Sequence, residues 1–198
     1  MTETTPTPAL NMLLVEQLDF HWTRQLRPRL DGLTDAEYFA EPVGGAWNVR
    51  PRGTSNAPVQ AGSGDFIIDF AFPEPDPAPV TTIAWRLGHL IVGVFGRRNA
   101  AHFDGPPCDY ESFAYAGTAA AALDLLDAAY DRWRTGVQAL GDEGLHRACG
   151  PAEGPFADCS MAALVLHINR EAIHHGAEIA LLRDLWAQGL PDASTAAR

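Results

Sequence analysis

Residues 166 to 183 read Leu166-His167-Ile168-Asn169-Arg170-Glu171-Ala172-Ile173-His174-His175-Gly176-Ala177-Glu178-Ile179-Ala180-Leu181-Leu182-Arg183. At about 100° per residue, Met161, Leu164, Val165, Ile168, Ala172, Ile179, Leu182 and Trp186 collect on one arc, a stripe that faces a core. His175 falls inside that arc, and Glu171 lies roughly 40° from it. A carboxylate and an imidazole one turn apart on a buried face are costly unless something pairs with them. They can hydrogen-bond each other or a neighbouring helix, or they can reach one metal ion together. His174 points about 100° away from His175, so the adjacent histidines are not expected to serve one site. Glu178 and His167 sit at the edge of the arc and suit supporting roles, holding a ring nitrogen or closing a proton path.

Working outward, the helix containing this stretch starts near Ser160 and stops at Gly189, with Pro191 beyond it. Three further helices are predicted. The first follows Thr7-Pro8 and runs through Leu10, Leu13, Leu14, Leu18 and Trp22 until Pro28 restricts its end. The second follows Pro77-Ala78-Pro79, with Thr81 or Thr82 as its cap, and continues through Trp85, His89, Val92 and Phe95 towards Ala101. The third carries Leu123, Leu126, Tyr130, Trp133, Val137 and Leu140 in alternating steps of three and four.

Four such helices predict an all-α, four-helix-bundle domain spanning residues 1–198. A long irregular connection rich in Pro and Gly, about residues 31 to 79, joins the first two helices. Connections of that length usually carry function. Its Trp47, Phe66, Phe70 and Phe72 are too apolar for free solvation and are expected to cover the bundle near a pocket mouth, or else to complete the core.

The bulk numbers exclude several classes. The chain has 198 residues, enough for one domain with a substantial core. No apolar run approaches the roughly 20 residues of a membrane span, and the acidic start Met1-Thr-Glu-Thr-Thr-Pro6 is unlike a signal peptide. A soluble cytoplasmic protein with no membrane partner is expected. Net charge is −11 and all 14 basic residues are arginine, which disfavours nucleic-acid binding and excludes Schiff-base chemistry on lysine. Cys108, Cys149 and Cys159 form no CxxC pair and read as reduced thiols in Gly/Pro-rich connections, with no adjacent base.

A metal site needs more than two protein groups. The second helix offers His89, which shares a face with Trp85, Val92, Gly93 and Gly96. Taken alone, His89 reads first as a satisfied core histidine; with Glu171 and His175 it completes a set of three. Gly93 and Gly96 each weaken a helix by about 1 kcal/mol relative to alanine, so a helix or ligand is expected to approach closely there.

The pattern Trp85-x-x-x-His89, followed by Glu171-x-x-x-His175 and a run ending Leu181-Leu182-Arg183, resembles the DinB/YfiT-like superfamily. Glu41-Pro-Val-Gly-Gly-Ala-Trp47 and Pro79-Val-Thr-Thr-Ile-Ala-Trp-Arg-Leu-Gly-His-Leu90 add to the resemblance, which covers essentially the whole chain. It implies a four-helix bundle of up-down-down-up connectivity, often dimeric, with a divalent metal between the helices. The implied ligands fall on His89, Glu171 and His175, with glutamate where many members have histidine. Zinc, nickel or iron would suit them. Some relatives are thiol-dependent S-transferases or isomerases that use mycothiol or bacillithiol.

A divalent ion with open positions could activate a thiol or water and polarise a carbonyl. The first functional expectation is therefore a metal-dependent thiol S-transferase acting on a small-molecule electrophile. The alternatives are a hydrolase with Glu178 or His167 as base, a non-catalytic metal- or ligand-binding bundle, and, last, a ferrous oxygenase. Trp47, Trp85 and Arg86 are candidate substrate contacts. Arg86, Arg97 and Arg98 read first as surface arginines, with anion recognition of a low-molecular-weight thiol as the alternative.

Overall fold

The computed structural model describes residues 9–190, 192 and 193. Thr7, Pro8 and Pro191, which framed the expected helix ends, lie outside the described residues.

The first helix, α1, runs through Leu10–His21, a π-helical stretch Trp22–Leu26 and Arg27–Arg29. It stops one residue past Pro28, whose ring removes a backbone donor from the last turn. Its buried stripe is Leu14, Leu18, Trp22, Leu26 and Leu30, while Leu10 and Leu13 are exposed. A short helix, α2, spans Asp35–Phe39 and is capped by Thr34, whose hydroxyl accepts from the Glu37 amide.

The second long helix, α3, comprises Ile83–His89, a π-helical stretch Leu90–Gly96 and Arg97–His102. Thr82 caps it, its hydroxyl accepting from the Trp85 amide. Helix α4 spans Ala119–Leu145, broken at Gly141 (φ 58°, ψ −179°), and α5 spans Met161–Ala187, with Ser160 as the cap of α5. A 3-10 stretch, Pro151–Phe156, interrupted at Gly154, lies between them. Gly189, at φ 87°, closes α5 in the left-handed conformation that glycine adopts without strain. Helix α4 packs on α1 and α3, and α5 packs on the same two. The common core contains Leu18, Trp22, Phe95, Leu126, Trp133 and Ile168.

The chain is mostly helical, but the all-α expectation is corrected in the connection between the first two long helices. Three short strands, β1 (Val49–Pro51), β2 (Val59–Ala61) and β3 (Phe66–Phe70), form an antiparallel sheet in the order β1-β3-β2. Val49 pairs with Ile68 and Val59 with Phe70. In the central strand Ile67, Ile68 and Asp69 are all buried, so the strand shows no polar–apolar alternation. Asp69 is satisfied there by the Asn48 amide at 3.0 Å, Arg50 Nε at 2.8 Å and the Ser55 hydroxyl at 2.5 Å.

The sheet docks on α3 through Trp85, whose indole Nε1 donates to the Asp69 carbonyl at 2.8 Å. Trp47 joins from the preceding turn, bridging Val80 and Thr82 through its backbone at 2.9 and 3.0 Å. Phe66 stacks on Phe39 and Phe70 meets Trp85 edge-on. Phe72 is 93% exposed and covers nothing, contrary to the expectation for it. No helix among the described residues is long and apolar enough to cross a membrane.

Candidate metal centre

His89 ends the α-helical part of α3, where the backbone widens into the π-helical stretch. π-Helical turns of this kind often sit at functional positions. Trp85, one turn earlier, stacks on the imidazole with centroids 5.4 Å apart. On the other side Nδ1 of His89 lies 2.7 Å from the Tyr110 hydroxyl. Burial, reinforced by the neighbouring His175, Arg86 and Arg98 side chains, pushes the His89 pKa down to about 3. At neutral pH the ring is uncharged, the form in which imidazole can give a lone pair to a cation.

Helix α5 supplies the facing groups. Gly176 lets the Leu26 side chain pack tightly on the helix: a Cβ there would lie 2.7 Å from a Leu26 methyl. That contact holds α5 against α1 immediately beside His175. The His175 ring meets the His89 ring edge-on, with centroids 4.7 Å apart. Its Nε2 lies 3.6 Å from a Glu171 carboxylate oxygen, and its Nδ1 lies 2.7 Å from one of Glu178. Further along α5, Arg183 Nε donates to the buried Glu37 carboxylate at 2.7 Å, tying α2 to the same helix.

Arg86 corrects its reading as a surface residue. Its side chain is 16% exposed, it pairs with Glu178, and it stands 3.4 Å from Nδ1 of His175. Burial lowers its pKa while Glu178 opposes the shift, and its Nε is buried without a partner. The reason lies in α3 itself: from Ile83 to Phe95 nearly every residue is buried, which leaves little open surface for an arginine. Arg97 is exposed, as expected of a surface arginine. Arg98 is half-buried and pairs with Glu153 at 3.3 Å.

His175 thus stands beside His89 across the α3–α5 contact and beside Glu171 one turn earlier on α5. Among the described residues, however, the group whose donor atoms all lie within 4.8 Å of one another is His174, His175 and Glu178. The expectation that His174 and His175 cannot share a site is thus too strict. The His174 imidazole and the Glu178 carboxylate, one turn apart, come within 3.5 Å over the helix edge. His174 is 63% exposed along its side chain, against 14% for His175. His167 is exposed, 3.5 Å from Glu171 and 2.7 Å from Arg170.

Tyr110 escaped sequence reasoning. It sits in the connection between α3 and α4, in a turn where the Asp109 carboxylate accepts from the Ser112 amide at 2.7 Å. No periodicity marks such a residue. The close approach expected at Gly93 and Gly96 does occur, but this connection makes it. A Cβ at Gly93 would overlap the Tyr110 hydroxyl, and one at Gly96 would meet Cys108 Sγ at 2.5 Å.

Trp47 packs against Phe70 and Trp85, with centroids 5.8 and 5.9 Å apart, and so backs the wall behind His89. It also lines a cavity of about 510 Å³ with Glu41, Arg50 and Asp69, whose walls include neither His89 nor His175. A larger cavity, about 1010 Å³, is walled by His102, Phe103, Arg132 and Arg147, again away from these histidines.

Two imidazoles and a carboxylate in a partly buried wall fit a borderline divalent ion such as zinc, nickel or iron. Both rings have Nδ1 engaged, by Tyr110 and by Glu178, so Nε2 is the nitrogen left to bind. Two of the three cysteines fit a nucleophile poorly. Burial pushes the thiols of Cys108 and Cys149 up, away from the reactive thiolate.

A family model described as the DinB superfamily matches residues 17–179, a span that holds His89, Glu171, His175 and Glu178. Comparison with curated proteins and with solved structures finds no match.

Proposed function

The chain belongs to the DinB superfamily, and from that membership we propose that it is a divalent-metal-dependent enzyme, a thiol-dependent S-transferase acting on small electrophiles. The observation that carries the reading is the position of His175 beside both His89 and Glu171, with each histidine held at Nδ1 by an outer partner. These three residues would hold the ion, and the ion would supply Lewis acidity towards a thiol or a carbonyl. We favour them over the His174, His175 and Glu178 group on two grounds. His174 is mostly solvated, and the Glu178 carboxylate is already neutralised by Arg86.

The remaining roles fall to the chain. The Trp85 and Trp47 rings exclude water behind His89, which strengthens polar interactions in front of it. Arg86 places positive charge beside His175, where it favours an anionic thiol. Cys108 and Cys149 offer no ready thiolate, and in this reading the nucleophile is a low-molecular-weight thiol from solution, of which mycothiol and bacillithiol are the first candidates. A hydrolytic reading is weaker because Glu178, its expected base, is engaged by both Arg86 and His175. Within the same reading, the four long helices form the family's up-down-down-up bundle and the protein acts as a homodimer.

The test is metal analysis of the purified protein, followed by turnover of a chlorinated nitroarene with and without mycothiol, bacillithiol or cysteine. Turnover that needs both thiol and metal supports the transferase. Metal-dependent turnover without thiol indicates the hydrolase, and a metal-loaded but inert protein indicates a binding bundle.

A further inference from the structure

We propose that Tyr110 is the positioning residue of His89: its hydroxyl, admitted by the missing side chain at Gly93, accepts a hydrogen bond from Nδ1–H in the tautomer whose Nε2 lone pair is free for a divalent cation. The inference rests on the reading of His89 as a metal ligand and deepens it.

A neutral imidazole carries one N–H and one lone pair, so the partner of one nitrogen decides what the other can do. The Tyr110 hydroxyl is 2.7 Å from Nδ1 of His89. If the hydroxyl donates, Nε2 carries the ring proton and cannot bind a metal. If Nδ1–H donates, Nε2 is a ligand and the tyrosine proton is released for another acceptor. A cation at Nε2 selects the second arrangement, and the hydroxyl satisfies a ring N–H that would otherwise be unpaired in a buried wall.

Three elements place the hydroxyl there. The Asp109–Ser112 turn presents Tyr110 towards α3. Phe70 meets its ring edge-on, with centroids 5.0 Å apart. Gly93, one turn after His89, leaves the notch: a Cβ at that position would overlap the hydroxyl and lie 3.0 Å from Nδ1 of His89. A glycine inside a buried helix costs stability relative to alanine, and the notch is what it provides here. The arrangement mirrors that of His175, whose Nδ1 is held by Glu178 at 2.7 Å.

The experiment is equilibrium titration of metal-stripped protein with zinc, by chelator competition, and with cobalt, by visible absorption. It covers the wild type, Tyr110→Phe, Gly93→Ala, the double variant and His89→Ala, each checked for folding by circular dichroism. Tyr110→Phe should weaken zinc binding by about tenfold to hundredfold, the usual effect of removing a residue that orients a ligand. Gly93→Ala should do the same, because its methyl displaces the hydroxyl. The double variant should be no worse than either single variant, since both remove one hydrogen bond. A merely structural role for Tyr110 would give additive losses and an unchanged cobalt spectrum, and would overturn the proposal. Wild-type affinity in Tyr110→Phe, with loss in His89→Ala, would also overturn it while leaving His89 a ligand. Wild-type affinity in His89→Ala would remove the metal reading on which the proposal stands.

Discussion

Nδ1 of His175 lies 2.7 Å from a Glu178 carboxylate oxygen, and the same carboxylate carries Arg86. The acid thus orients the imidazole and balances a buried guanidinium. Glu178→Ala should weaken zinc binding by about tenfold to hundredfold and also lower stability, because Arg86 is left unpaired beside two histidines. Glu178→Gln, which keeps an acceptor for Nδ1–H, should retain more of the affinity. Zinc titration with thermal melts on both variants checks this; equal affinities for Ala and Gln would show that orientation of His175 is not the role.

His89 predicts a specific acid response of the metal-free protein. Its folded pKa is pushed down to about 3, while the unfolded chain takes up that proton near the ordinary 6.5. Between those values the unfolded state binds more protons, so stability falls as pH drops from about 6.5 towards 3. His89→Gln should flatten that part of the stability–pH curve. Denaturant midpoints for the chelator-treated wild type and variant, measured between these limits, decide it; parallel curves would contradict it.

Trp47 joins the sheet-bearing connection to Trp85 and, through it, to His89. Trp47→Ala should destabilise the fold by about 2–3 kcal/mol, somewhat below a fully buried tryptophan because Trp47 is only partly covered. Its nearest cavity does not include the histidines, so selectivity among electrophiles of different size should be unchanged. A shift in selectivity at constant melting temperature would instead make Trp47 part of the substrate-facing wall.

The helices were legible because their buried stripes follow a 3.6-residue period and their caps are Ser and Thr: Thr82 and Ser160 cap as expected, and the Leu123-to-Val137 seam of α4 is buried. The sheet was not, because Ile67 and Ile68 are both buried and β3 lacks the alternation that marks a strand. At the site, helical phase picked out Glu171 and His175, but it treated side chains as radial spokes. His174 and Glu178 bend over the helix edge to meet, and no angle per residue records that. The π-helical stretch after His89 breaks the phase of α3, and Tyr110 comes from a connection more than 20 residues away in sequence, as its 21-residue separation from His89 shows.

The central claim is that His89, on α3, shares one divalent ion with Glu171 and His175 on α5. Zinc titration of metal-stripped wild type, His89→Ala and His174→Ala, with folding verified, tests it most directly. The account predicts one tight equivalent for the wild type and for His174→Ala, and loss of tight binding in His89→Ala. Loss in His174→Ala with full binding in His89→Ala would contradict it and move the ion to the exposed His174, His175 and Glu178 edge of α5.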